Sequence, residues 1–206
     1  MSSKLKLFFQ ESWLLMVSSI VFGALLGLTN AAWAPKIAQN EIDKFNTLAK
    51  SVLTAAETFK PLAEPLTLST GKGKTFVADV REGLDVSGTR VGWVFIAEGT
   101  GFADKIRLVV AVDAKFEMIY GFSVLACSET PGFGDKITIK NGFYQSQYQG
   151  APVSEFKLVK VGDAKKIDSD IVAITGATVT SRAVVDIMNT YVVQIKEKLS
   201  QKGLLK

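Results

Sequence analysis

Polar and apolar residues change rhythm several times along this chain. From Trp13 to Ala34 no charged residue occurs, and a helix of about 20 apolar residues is long enough to cross a bilayer. After Pro35 the period becomes that of an amphipathic helix, predicted from Lys36 to Phe59. Ile42, Phe45, Leu48, Val52 and Phe59 form its apolar stripe, with Asn40, Asp43, Lys44 and Lys50 between them. Pro61 and Pro65 are expected to end it. Leu66 to Gly73 reads as a turn-rich connector. Strand patterns follow at Thr75–Val80, Gly92–Ala97, Ile106–Val112 and Phe116–Ala126, the last two joined as a hairpin by Asp113-Ala114-Lys115. Glu129 to Gly134 reads as a loop, Asn141 to Tyr148 as a short helix and Phe156 to Val161 as a short strand. A final helix is predicted over Thr180–Leu199, with Val184, Ile187, Met188, Tyr191, Ile195 and Leu199 on one face. The mixture predicts an α+β domain with a mainly antiparallel sheet and flanking helices, behind one N-terminal transmembrane helix.

The expected layout is an N-terminal tail at 1–12, a membrane span at 13–34, a helical connector at 35–65 and a globular domain at 66–206. Trp13 and Trp33 flank the span, where interfacial aromatics are favoured, and Lys4 and Lys6 precede it, which points to a cytoplasmic N-terminus. Ala32-Trp33-Ala34 resembles a small-x-small cleavage site, but the apolar run exceeds a signal core, so an uncleaved span is expected. Ser19, Gly23, Gly27 and Ala31 recur every fourth residue, a small-residue stripe that lets another membrane helix approach closely.

Charge and composition narrow the chemistry. Of 206 residues, 24 are basic and 20 acidic, for a net charge of +4 spread along the chain. No basic block alternates with aromatics, so nucleic-acid binding has no support. The chain has no His, which removes His metal sites, His-based nucleophile pairs and imidazole acid–base catalysis. Its single Cys127 excludes an internal disulfide and a cluster ligated by this chain alone. No catalytic residue and no metal site is predicted. An enzyme with so few catalytic side chains would borrow its chemistry from a cofactor.

Two segments carry candidate chemistry. Thr175-Gly176-Ala177-Thr178-Val179-Thr180-Ser181 leads straight into the last helix. It puts bare N–H groups, hydroxyls and the positive end of a helix dipole in one place, which suits a phosphate. Ordinary N-capping accounts for the same residues. Ser128-Glu129-Thr130-Pro131-Gly132-Phe133-Gly134 follows an apolar strand. Pro131-Gly132 suits a tight turn, Glu129 and Thr130 can bond ligand heteroatoms, and Phe133 can lie on an aromatic ring. A plain polar loop is the alternative. Gly73-Lys74-Thr75 looks like the end of a P-loop, but Leu68 stands where a Gly is required and a strand pattern follows. That reading is discarded.

Taken together, Glu-Thr-Pro-Gly-Phe-Gly, a later Thr-Gly-Ala-Thr before a terminal helix, Gly92-Trp93-Val94-Phe95, Gly99-Thr100-Gly101-Phe102 and one N-terminal span resemble a known family. The chain resembles the FMN-binding G subunit of Rnf-type ion-translocating ferredoxin:NAD oxidoreductase complexes. It is also similar to the C subunit of the Na⁺-translocating NADH:quinone reductase. The resemblance implies FMN joined by a flavin transferase through a phosphoester to Thr178, with Asp170, and Asp168 just before it, as the upstream acidic element. It implies that Thr175, Gly176, Ala177, Thr180 and Ser181 surround the phosphate and that Glu129, Thr130, Gly132 and Phe133 border the flavin. It further implies electron transfer, partner membrane subunits, and a single-pass protein of the inner membrane whose domain lies outside the cytoplasm. Two positions depart from the family: Cys127, where relatives often have His, and Phe102-Ala103, where Tyr-Gly or Gly-Gly is commoner. The competing readings are a membrane-anchored flavin or phosphoryl-ligand sensor without electron transport and a purely structural accessory domain.

Overall fold

A computed structural model describes residues 3–69 and 75–205 of the chain, with side chains from residue 10 onward. The chain divides into two compact units, residues 1–43 and 44–206.

The first unit is helical. Helix α1 runs over Ser3–Val52, and its last residues belong to the second unit. It passes through Pro35 without a break. One lost N–H bond does not end so long a helix. Gln10–Val52 holds a stretch long and apolar enough to cross a membrane, with no buried residue in that window. Trp13 and Trp33 are both exposed. The hydroxyls of Ser18 and Ser19 donate to the Leu15 carbonyl and that of Thr29 to Leu25, so each polar group is satisfied within the helix, as an apolar medium requires.

In the second unit a five-stranded antiparallel sheet has the order β1-β4-β5-β6-β7, with β1 Thr58–Pro61, β4 Val80–Leu84, β5 Arg90–Thr100, β6 Lys105–Asp113 and β7 Ile119–Ala126. Strands β2 Leu66–Ser69 and β3 Thr75–Ala78 pair as a separate antiparallel ribbon. Strands β8 Lys157–Val159 and β9 Asp170–Val172 form a short parallel pair. Helix α2 covers Thr178–Gln201. The α+β class with a mainly antiparallel sheet is as expected.

Alternation along the central strands feeds two cores. Trp93, Phe95 and Ala97 of β5, with Ile106, Leu108, Val110 and Val112 of β6, join the buried face of α2 in the larger cluster. Val94, Val109 and Ala111 point the other way and pack with Phe45, Ala49, Leu53 and Ala56. The sheet is thus apolar on both faces. Each buried Val, Leu, Ile or Phe among them stabilises the fold by about 1.5–3 kcal/mol through surface removed from water.

Several expected elements are corrected. The amphipathic helix stops at Val52, and Phe59 lies in β1 instead. Phe45 and Phe59 still meet edge to face, with ring centroids 6.2 Å apart, so a shared core produced a periodicity that mimicked one longer helix. The connector at 66–73 contains strand β2; residues 70–73, and with them most of the Gly73-Lys74-Thr75 string, lie outside the described residues. The strand expected over 75–80 breaks at Asp79 into β3 and β4, which serve different sheets. Phe116 sits in the β6–β7 turn at φ 59°. The helix expected over 141–148 is a 3-10 turn over Gln145–Tyr148.

Topology brings three loops to one end of the sheet. The β5–β6 hairpin closes at residues 101–104, with the Gly101 N–H donating to the Asp104 carbonyl at 2.8 Å. Because β7 pairs with β6, with Arg107 opposite Ala126, the segment after β7 emerges beside that hairpin. Helix α2 crosses β5 so closely that a Cβ on Gly99 would lie 2.5 Å from Ile187, and its N-terminus reaches the same end.

Candidate functional site

At this end of the sheet lies a cleft of about 370 Å³, lined by Phe102, Glu129, Thr130, Phe133, Gly134, Gly176, Ala177, Thr178, Val179 and Thr180. The two segments singled out in the sequence, far apart in the chain, therefore form one site.

Thr178 is the first residue of α2 and is half-buried in the cleft lining. Its hydroxyl forms no hydrogen bond among the described residues. Ala177 stands at the N-cap and supplies no capping side chain, and no acidic residue occupies the first turn. The first-turn N–H groups of Thr178, Val179 and Thr180 lack intrahelical acceptors. An anion placed there meets aligned donors and the positive end of the helix.

Gly176 enters this turn at φ +81°, and a Cβ there would lie 3.0 Å from the Phe133 ring. A left-handed backbone and an aromatic face pressed against it both call for Gly. Phe133 is 53% exposed, Val179 56% and Phe102 67%. Three exposed apolar side chains around one cleft are what a planar apolar ligand needs and what a bare surface avoids.

Glu129 is 5% exposed and spends both oxygens inside the protein. Its Oε1 accepts from the N–H groups of Phe102 at 2.9 Å and Ala103 at 3.0 Å, and its Oε2 accepts from the Thr180 hydroxyl. Thr180 therefore faces Glu129, leaving its N–H free for a ligand. The Ser181 hydroxyl donates to the Ala177 carbonyl at 2.9 Å and accepts from the Ile174 N–H at 3.0 Å, closing the turn from within. Tyr144, fully buried, donates to the Ser181 carbonyl at 2.7 Å and sits beside Tyr148. Burial pushes both phenols up from their ordinary value. The Gln147 amide clamps both the N–H and the carbonyl of Val172 in β9, and Asn189 does the same for Phe156 before β8. These side-chain clamps hold the strand that feeds the 173–178 turn.

Of the residues expected at the site, Thr178, Gly176, Ala177, Thr180, Glu129, Thr130 and Phe133 line the cleft, while Thr175, Gly132 and Ser181 do not. Thr175 is exposed just outside it. Asp170 opens β9 away from the cleft, and Asp168 accepts from the Asp170 N–H and pairs with Lys166. Phe102, Gly134 and Val179 are additional lining residues. Exposed apolar side chains beside the glycines are the signal that would have found them. Cys127 does not line the cleft; it packs half-buried against the larger core, where burial pushes its thiol up.

Residues 101–193 match the FMN-binding domain family, a span that contains both halves of the cleft. The G subunit of an ion-translocating oxidoreductase complex from Methanosarcina acetivorans is 32% identical over 86% of this chain and 89% of its own length. The chain belongs to the G-subunit family of ion-translocating oxidoreductase complexes. Within that family, the G subunit of the Na⁺-translocating ferredoxin:NAD⁺ oxidoreductase complex from Acetobacterium woodii is 28% identical over 95% of both chains. Among solved structures, NqrC of Shewanella oneidensis shares the fold with a TM-score of 0.56 at 29% identity, over 72% of this chain and 73% of that one. This G-subunit chain therefore carries an FMN-binding domain, and the cleft is its one described feature that joins an anion-ready helix end to an aromatic-lined recess.

Proposed function

We propose that this chain is the electron-carrying G subunit of an Rnf-type ferredoxin:NAD oxidoreductase, and that its FMN is esterified to Thr178. The observation that carries the reading is the free Thr178 hydroxyl at an uncapped helix N-terminus inside the cleft. Bound FMN supplies the uptake and release of electrons. The chain supplies attachment and orientation. The Thr178 oxygen would hold the phosphate as an ester, the N–H groups of the first turn of α2 would hold the phosphate oxygens, and Phe133 and Phe102 would wall the ring. Thr130 is an exposed lining residue whose hydroxyl could meet a ring heteroatom. A covalent tether retains a cofactor that could not be replaced outside the cytoplasm. The full-length relatives named as G subunits favour this reading over the quinone-reductase C subunit.

In this reading α1 crosses the inner membrane once with Lys4 and Lys6 on the cytoplasmic side, and the domain lies on the other face. The Ser19, Gly23, Gly27 and Ala31 stripe seats partner membrane subunits, and a flavin transferase completes maturation. Replacing Thr178 with Val is expected to abolish flavin fluorescence of the denatured band and to lower the intact mass by one flavin mononucleotide adduct. A fluorescent band in that variant overturns the assignment. Mild detergent extraction should recover several integral membrane proteins with the chain, whereas a lone sensor module would purify without them.

A further inference from the structure

Glu129 gathers three stretches of chain that are far apart in sequence. The 101–103 loop donates two backbone N–H groups to one oxygen, and the first turn of α2 donates the Thr180 hydroxyl to the other. The surrounding backbone is shaped to fit. A Cβ on Gly101 would lie 2.4 Å from Glu129 Oε1, and a Cβ on Gly134 would lie 2.9 Å from Oε2 and 2.7 Å from the Thr180 hydroxyl. No basic side chain among the described residues pairs with this carboxylate. Its partners are all neutral donors, and charge-assisted bonds of that kind are the strong ones. Among the described residues, and apart from the hairpin bond between Gly101 and Asp104, these two N–H bonds are what ties the Phe102 loop down.

We propose that Glu129 is the positioning residue of the cleft: its carboxylate latches the Phe102 loop to the first turn of α2 and so fixes the aromatic wall relative to the Thr178 anchor. Thr180 lies two residues beyond Thr178, so holding its hydroxyl fixes the rotation of the turn that presents the anchor. The purpose of the latch rests on the reading of a flavin at Thr178, but its geometry does not. A Gln at this position keeps an oxygen for the two N–H groups, and the Thr180 hydroxyl can turn to accept from the amide. An Ala leaves all three donors without a partner.

The test uses hydrogen–deuterium exchange on the full chain in detergent, read at Phe102 and Ala103, in the Thr178→Val background where no flavin is tethered. Glu129→Ala is expected to speed exchange at both amides by about ten-fold or more, because it leaves them without an acceptor, and Glu129→Gln to fall between the parent and the Ala variant, because it keeps the bonds but not their charge assistance. Thr180→Val removes one donor and should loosen the same amides to a smaller extent, which keeps the test open if the Ala variant fails to fold. In the flavin-loaded chain, the visible circular dichroism of the flavin should change with Glu129→Ala and be retained with Glu129→Gln. Unchanged exchange in Glu129→Ala, or a Gln variant as loose as the Ala variant, overturns the latch. Wild-type chain without flavin would overturn the reading of Thr178 while the exchange results still decide the latch.

Discussion

Gly176 combines two local constraints in the cleft: its φ is +81°, and a Cβ there would lie 3.0 Å from the Phe133 ring. Gly176→Ala is expected to cost about 1–3 kcal/mol, since an L-residue in that backbone region is strained and the ring must move. Denaturant unfolding of the variant checks the cost. Cys127 gives a second expectation at this scale. Its thiol is pushed up first by burial and then by the nearby Glu129 and Asp135 charges. Alkylation by iodoacetamide should be slow at about pH 8, near the ordinary thiol value, and accelerate well above it; mass spectrometry of the labelled chain follows the rate. Much of the site was legible residue by residue. The Thr-Gly-Ala-Thr string and the Glu-Thr-Pro-Gly-Phe-Gly loop announce their turns through Gly, Pro and hydroxyl residues. What they do not announce is direction. Thr180 and Ser181 looked like phosphate ligands, but their hydroxyls turn inward to Glu129 and Ala177, because buried oxygens must be satisfied before a ligand arrives. Glu129 does line the cleft, but its two oxygens accept from the Phe102 and Ala103 N–H groups and from the Thr180 hydroxyl.

At the scale of elements, polar clamps matter as much as the apolar faces. Gln147 bonds both backbone groups of Val172, and both lie buried. Gln147→Ala leaves a buried donor and acceptor unpaired and is expected to destabilise by about 2–4 kcal/mol, with loss of flavin retention because β9 leads into the 173–178 turn. A lowered melting temperature and weaker gel fluorescence together check this. On the other face of the sheet, Phe45 is buried against Phe59 and beneath the Arg81 guanidinium, 4.0 Å from the ring. Phe45→Ala should cost about 3–5 kcal/mol through the cavity it leaves. The long strands and α2 were readable because their periods run over many residues. Of the short pieces, β8 falls inside the strand read over 156–161. β1, β2 and β9 did not show: they have three or four residues each, too few for alternation to stand out, and their pairing partners are set by the fold rather than by the local string.

For the molecule as a whole, the order of strands decides that loops from three parts of the chain share one end of the sheet, and no local pattern reports that. Charge linkage also acts globally. Tyr144 and Tyr148 are held un-ionised by burial, so the folded state keeps their protons longer than the unfolded chain does. Their stability contribution is full below the unfolded tyrosine value of about 10 and falls as pH rises beyond it. Melting temperature in detergent should accordingly drop steeply on the alkaline side, and Tyr148→Phe should soften that drop. The first unit behaves differently. Its exposed apolar helix predicts that the chain stays with the membrane pellet under alkaline carbonate extraction.

The bare start of α2 has a further consequence. A helix whose opening turn has no side chain to close it is an unfinished piece of folding. If a phosphate is what closes it, the cofactor completes the architecture as well as the chemistry, and chains without it would be softer than loaded ones. Loading would then register as a rise in melting temperature and as slower proteolysis of the domain.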